Sequence, residues 1–144
     1  MKKIISVLFV LALLAFTGCQ TYETQMEEDN MIEDETMDEI AYTDVSPMEA
    51  KELIDNNPEL IIIDVSPNYD EGHLPGAVNY YAGDGSLDAA IPSLGKEAMY
   101  LVYCHFESAS RAGAQKLVDA GFTNVYRLDG DYSGWVDAGY EIEQ

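Results

Sequence analysis

The chain has 144 residues, a formal net charge of −20 and two cysteines, Cys19 and Cys104. That length holds one domain once an N-terminal processing segment is set aside. A surface this acidic repels nucleic acid and disfavours anionic substrates, although acidity also serves solubility or life in high salt.

Lys2 and Lys3 precede an apolar run over residues 4–16 that ends in Thr17-Gly18-Cys19. A basic start, a short apolar core and small residues at a boundary predict a secretory signal over residues 1–18, too short for an ordinary spanning helix. The pattern A-F-T-G-C resembles the lipobox of bacterial lipoproteins. That resemblance implies lipidation of Cys19 as the first mature residue, and hence an extracytoplasmic protein anchored to a membrane, at a periplasmic or outer surface. A plain secretory signal cut near Gly18, or an uncleaved anchor, is the alternative. Cleavage before Cys19 leaves Lys51, Lys96, Arg111, Lys116 and Arg127 as the only basic residues, and the net charge becomes about −22. Residues 19–41 read as an acidic tether: positions 20–40 hold nine acidic residues and no basic one, with little apolar periodicity.

The globular domain is expected over residues 42–144. Ser46-Pro47-Met48-Glu49 is a helix start, with Ser as N-cap, Pro in the first turn and Glu three residues after the cap. This helix should end near Asn56-Asn57-Pro58. An apolar strand follows over residues 60–65, of the kind buried on both faces of a parallel sheet. After the Leu74-Pro75-Gly76 turn comes a short strand over 77–81. Ser86 is the expected cap of a short helix over 87–91. A strand over 99–103 leads to a helix over 110–120 closed by Gly121, a strand over 124–128 and a last helix over 132–138. Strands alternating with helices predict an α/β fold with a mostly parallel central sheet flanked by helices.

Cys104 sits where such sheets bind ligands, beyond the carboxyl end of a strand. The sequence there reads Y-L-V-Y-C-H-F-E-S-A-S-R and then becomes helical. Loop amides and the following helix N-terminus would favour a thiolate and lower the cysteine pKa. The alternative is a buried, inert thiol. With Cys19 lipidated, Cys104 has no partner in its own chain.

Three segments together resemble the rhodanese-like family. D-V-S-P-N-Y-D-E-G-H-L-P-G-A (64–77) is similar to its first signature, V-Y-C with A-G-A-Q-K-L-V-D-A-G-F (102–104 and 112–122) to its active-site region, and N-V-Y-R-L-D-G-D-Y-S-G-W-V-D-A-G-Y (124–140) to its closing signature. The resemblance covers about 100 residues. It implies the three-layer rhodanese fold and a sulfurtransferase in which Cys104 carries sulfane sulfur as a persulfide. The donor would be a small sulfur compound and the acceptor a thiol or protein, with no cofactor and no metal. The backbone of His105, Phe106, Glu107, Ser108 and Ala109 would cradle the persulfide, with Ser110 and Arg111 completing the site.

This chain has Glu107 and Ala109 where many members carry Gly and Arg, and Ser66 where the first signature commonly has Arg. These departures disfavour thiosulfate and suggest a less anionic donor. Arg111 either reaches back to the loop or faces solvent or an acid. Two other classes stay open. One is a catalytically silent rhodanese-like binding module, which gains support if Glu107 points into the cradle. The other is a phosphatase or arsenate-reductase chemistry, disfavoured because Cys104 and Arg111 stand one residue too far apart. His73 is expected to be a structural turn residue and Asp64 to bond neighbouring loops. Trp135 and Tyr140 should pack the final helix. Tyr80, Tyr81, Phe106 and Tyr132 are candidates for a pocket mouth.

Overall fold

A computed structural model describes residues 42–144. The signal segment, Cys19 and the acidic tether lie outside the described residues. Five strands, β1 (Thr43–Val45), β2 (Ile61–Asp64), β3 (Val78–Asn79), β4 (Met99–Tyr103) and β5 (Asn124–Leu128), form one sheet in the order β1-β5-β4-β2-β3. Every pair is parallel. The helices are α1 (Pro47–Asn56), α2 (Ser86–Ala90), α3 (Glu107–Asp119) and α4 (Asp131–Asp137).

The apolar runs of β2 and β4 are continuous because both faces of the sheet are covered. Alternation then sorts side chains by parity. Ile63, Val65, Tyr100, Val102 and Cys104 join the cluster that holds Leu87 of α2 and Ala114 and Leu117 of α3. Ile62, Leu101 and Tyr103 join the opposite cluster, with Ala50 of α1 and Trp135 of α4. The expected three layers are therefore α2 and α3, the sheet, and α1 with α4. Gly113 lets α3 settle onto the sheet, since a Cβ there would come within 3.1 Å of a Val65 methyl and 3.4 Å of Val102.

The helix α1 start is the expected capping box, with Ser46 and Glu49 side chains each bonded to the other's backbone. Three local expectations are corrected. Strand β1 has no counterpart in the elements expected from sequence: three residues that pair only with β5 carry too little periodicity to stand out. Helix α2 is capped by Gly85 in the left-handed region (φ 87°), while Ser86 is already helical and bonds Asp84. Helix α3 begins at Glu107, three residues before the expected start.

Arg127 is fully buried on β5 and bonds Asp44 of β1 at 2.6 Å and Asp129 at 3.0 Å. Its hydrogen bond, working against desolvation, holds the Asp44 carboxyl below the usual carboxylate range. The edge strand is thus tied on by charge as well as by its ladder. His73 stacks on Tyr69 with ring centroids 3.8 Å apart and exchanges backbone hydrogen bonds with Glu143. It is the structural residue expected, and it staples the first signature to the C-terminus.

Candidate active site

Cys104 follows β4 directly and is 1% exposed. Its peptide is held on both sides by the start of α4. The Cys104 N–H donates to Asp131 Oδ1 at 3.1 Å, and the Tyr132 N–H donates to the Cys104 carbonyl at 3.0 Å. Asp131 meets this demand from φ 53°, the only non-glycine residue with positive φ among the described residues. Asp tolerates that conformation better than most residues, at a cost of about 1 kcal/mol or more. The closing signature D-G-D therefore supplies a site residue absent from the candidates named on sequence. Its only signal was an acid directly after Gly130.

Cys104 lines a cavity of about 340 Å³. Its walls are Val65, Pro67, Tyr81, Ala82, Gly83, Phe106, Ala109 and Ala112, with Lys116 at the edge. Ala109, Ala112 and Lys116 recur at helical spacing on one face of α3. Glu107 and Arg111 occupy another face. Arg111 bonds Glu107 at 2.7 Å and lies 3.7 Å from Asp44, so it is not among the cavity residues. Of the two fates open to Arg111, pairing with acids is the one adopted. Lys116 is likewise held, at 2.7 and 2.6 Å from the two Asp88 oxygens.

The expected cradle is shorter than five residues. Phe106 is the extended N-cap residue of α3 (φ −139°, ψ 123°), and the Ala109 N–H already donates to the Phe106 carbonyl at 3.0 Å. Glu107, Ser108 and Ala109 form the first helical turn because an acid there suits the helix dipole and Glu107 meets Arg111 one turn on. Glu107 is exposed and turned to Arg111, away from the cavity. Ser108 is also exposed, while Ser110 is buried and its hydroxyl donates to the Glu107 carbonyl at 2.9 Å.

The thiol titrates opposite to the sequence expectation. Burial pushes it above the ordinary range, and the charges of Asp64 and Asp131 add to that rise. The main-chain N–H groups of Phe106 and His105 pull the other way without reversing it. The sequence showed the helix N-terminus but not the depth of the sulfur or the two carboxylates behind it. Burial also raises the Asp131 carboxyl, against the pull of the Ser110 hydroxyl nearby and the hydrogen bond from the Cys104 amide.

His105 turns away from the cavity wall. Its ring stacks on Tyr132 with centroids 4.1 Å apart at 11°, and its Nε2 lies 3.8 Å from Asp64 Oδ2. Neither of those atoms has a hydrogen-bond partner in the protein. Asp64 uses its other oxygen as expected, accepting the Ser66 N–H at 2.7 Å. The Tyr132 hydroxyl lies against Gly72, where a Cβ would come within 2.2 Å of it. Here the first and closing signatures touch. Of the aromatic candidates for the mouth, Tyr81 and Phe106 line the cavity. Tyr80 packs on the core and Tyr132 on His105. No cluster of three metal-ligating side chains occurs among the described residues.

A profile of the rhodanese-like domain matches residues 46–138, and the chain belongs to that family. Thiosulfate sulfurtransferase GlpE of Coxiella burnetii is 33% identical over 96 residues, spanning 65% of this chain and 87% of that protein. The protein of the same name from Actinobacillus pleuropneumoniae is 32% identical over 103 residues, spanning 71% and 94%. Among solved structures, a rhodanese-like domain from Anabaena sp. aligns with a TM-score of 0.63 at 27% identity, over 69% of this chain and 77% of that one. The polysulfide-sulfur transferase of Wolinella succinogenes shares the fold, with a TM-score of 0.60 at 22% identity over 72% and 79%.

Proposed function

We propose that the protein is a sulfurtransferase in which Cys104 carries sulfane sulfur as a persulfide. The observation that carries this reading is the placement of the buried Cys104 in the wall of the cavity, at the carboxyl end of β4 and just before the N-terminus of α3. The Cys104 thiolate attacks the outer sulfur of the donor. The donor S–S bond breaks, and its electron pair leaves with the remainder of the donor. An acceptor thiolate then attacks the terminal persulfide sulfur, and Cys104 departs as thiolate. The amides of His105 and Phe106 favour the anion at both stages. Relatives named thiosulfate sulfurtransferase support the class of reaction.

The outward orientation of Glu107 removes the feature that would have favoured a silent binding module. The engagement of Arg111 with Glu107 and Asp44 leaves no guanidinium for a tetrahedral oxyanion. Intact mass after incubation with a sulfane donor should show the gain of one sulfur atom. Dithiothreitol should remove it, and Cys104→Ser should abolish it. A folded protein that gains no sulfur from several donors overturns the reading. We also propose that the protein is exported and held to a membrane by a lipid on Cys19. Metabolic labelling with a fatty acid should mark the wild type and spare Cys19→Ser.

A further inference from the structure

Resting on the sulfur-transfer reading, we propose that the cavity selects donors that carry a hydrocarbon group and no more than one negative charge. An aryl or alkyl thiosulfonate or an organic persulfide meets that description, and thiosulfate does not.

Two independent features converge on this class. The first is the wall. Seven residues from three segments (Val65, Pro67, Tyr81, Ala82, Phe106, Ala109 and Ala112) offer carbon to the cavity, and Phe106 is 62% exposed at its edge. An aromatic ring left this exposed beside a nucleophile is a ready stacking surface for an incoming group. About 340 Å³ falls within the range of small-molecule pockets and exceeds what a bare thiosulfate ion needs. The second is the charge. Lys116, the one cation among the cavity residues, is neutralised by Asp88, and Arg111 by Glu107 and Asp44. The Asp131 carboxylate, which holds the Cys104 amide at 3.1 Å, adds negative charge behind the cavity rather than positive. A dianion entering this cavity would shed water and find no free positive group in return, which is costly. A monoanion with a ring loses less and buries apolar surface.

For benzenethiosulfonate the step balances without any further reagent. The Cys104 thiolate takes the outer sulfur, the S–S bond of the donor breaks, and benzenesulfinate leaves with the electron pair.

Three donors separate the contributions: benzenethiosulfonate, methanethiosulfonate with the same headgroup and charge, and thiosulfate. Sulfur loading of Cys104, followed by intact mass on the full chain, should be faster for the aryl donor than for the methyl donor by roughly tenfold, from burial of the ring. Thiosulfate should be the slowest. Phe106→Ala should bring the aryl-to-methyl ratio toward one. Ala112→Arg should raise the thiosulfate rate relative to both thiosulfonates. Loading by thiosulfate as fast as by the aryl donor overturns the proposal and leaves the sulfur-transfer reading intact. A probe that transfers no sulfur reads the same preference: benzenesulfinate should protect Cys104 from iodoacetamide and sulfate should not. Protection without loading from any donor would overturn sulfur transfer while keeping the ligand class. Neither protection nor loading would overturn both.

Discussion

Both faces of the sheet are covered by buried apolar clusters, but they end differently at the carboxyl edge of β4. Tyr103 points into the α1/α4 side and is sealed there, its hydroxyl accepting the Leu74 N–H at 3.0 Å. Cys104, one residue later, faces the α2/α3 side and, though 1% exposed, forms part of the cavity wall. The difference lies in the segments after β2 and β3. On one side the Gly72-His73-Leu74 turn folds back over the strand ends. On the other, Tyr81, Ala82 and Gly83 stop short and leave the cavity. Parity along one strand thus places a packing residue and the proposed sulfur carrier side by side, and the loops decide which of them borders a cavity.

Breaking the sealed side should cost the most stability and leave the chemistry of the open side in place. Trp135→Ala removes a buried indole that packs on Tyr140 and donates to the Glu141 carbonyl. Denaturant unfolding should show a loss of about 3–5 kcal/mol. The protein that remains folded should keep its Cys104 reactivity. Tyr103→Phe deletes only a hydroxyl, yet strands the buried Leu74 N–H. The expected loss is about 1–3 kcal/mol in the same measurement.

Changes on the open side should move reactivity more than stability. The rate of Cys104 alkylation by iodoacetamide should rise with pH through a midpoint above the ~8.5 of a free thiol. The sign for stability comes from the same elevation. A thiol raised in the fold contributes stability that is fully present below the unfolded value and is lost as pH rises through the folded one. Asp131→Asn keeps a residue that tolerates positive φ and retains an acceptor for the Cys104 amide. It removes one of the charges holding the thiol up, so the alkylation midpoint should fall, with a stability change under about 1 kcal/mol. An unmoved midpoint would show that the Asp131 charge does not act on the thiol. Smallest of all, Arg111→Gln breaks only exposed pairs and should change stability by no more than about 0.5 kcal/mol.

Much of this contrast can be read from residues, and some cannot. The apolar runs at 60–65 and 99–103 announce a doubly covered parallel sheet, and the end of β4 announces the site. The capping box at Ser46 and Glu49 is equally local and equally legible. The direction of the Cys104 pKa is not, because it depends on burial and on Asp64 and Asp131, which lie 40 residues before and 27 after it in sequence. The start of α3 is obscured because Glu107 stands where the resemblance leads one to expect glycine. Beside that glycine it suggests a changed loop, whereas an acid one turn ahead of Arg111 makes a helix start. The apolar cavity wall is hidden for a similar reason. Small residues such as Ala109 and Ala112 say little until their helical phase toward Tyr81 and Pro67 is known.

The grip of α4 on the Cys104 peptide has a consequence that hydrogen exchange would reveal. Two segments 27 residues apart share one pair of bonds, so the Cys104 and Tyr132 amides can exchange only when β4 and α4 separate. They should therefore exchange together, near the slowest rate in the domain. The amides of Glu107 and Ser108, in the first turn of α3 and without intrahelical acceptors, should exchange at once. The proposed sulfur carrier would then stand on one of the least yielding points of the domain, directly beside one of the most yielding.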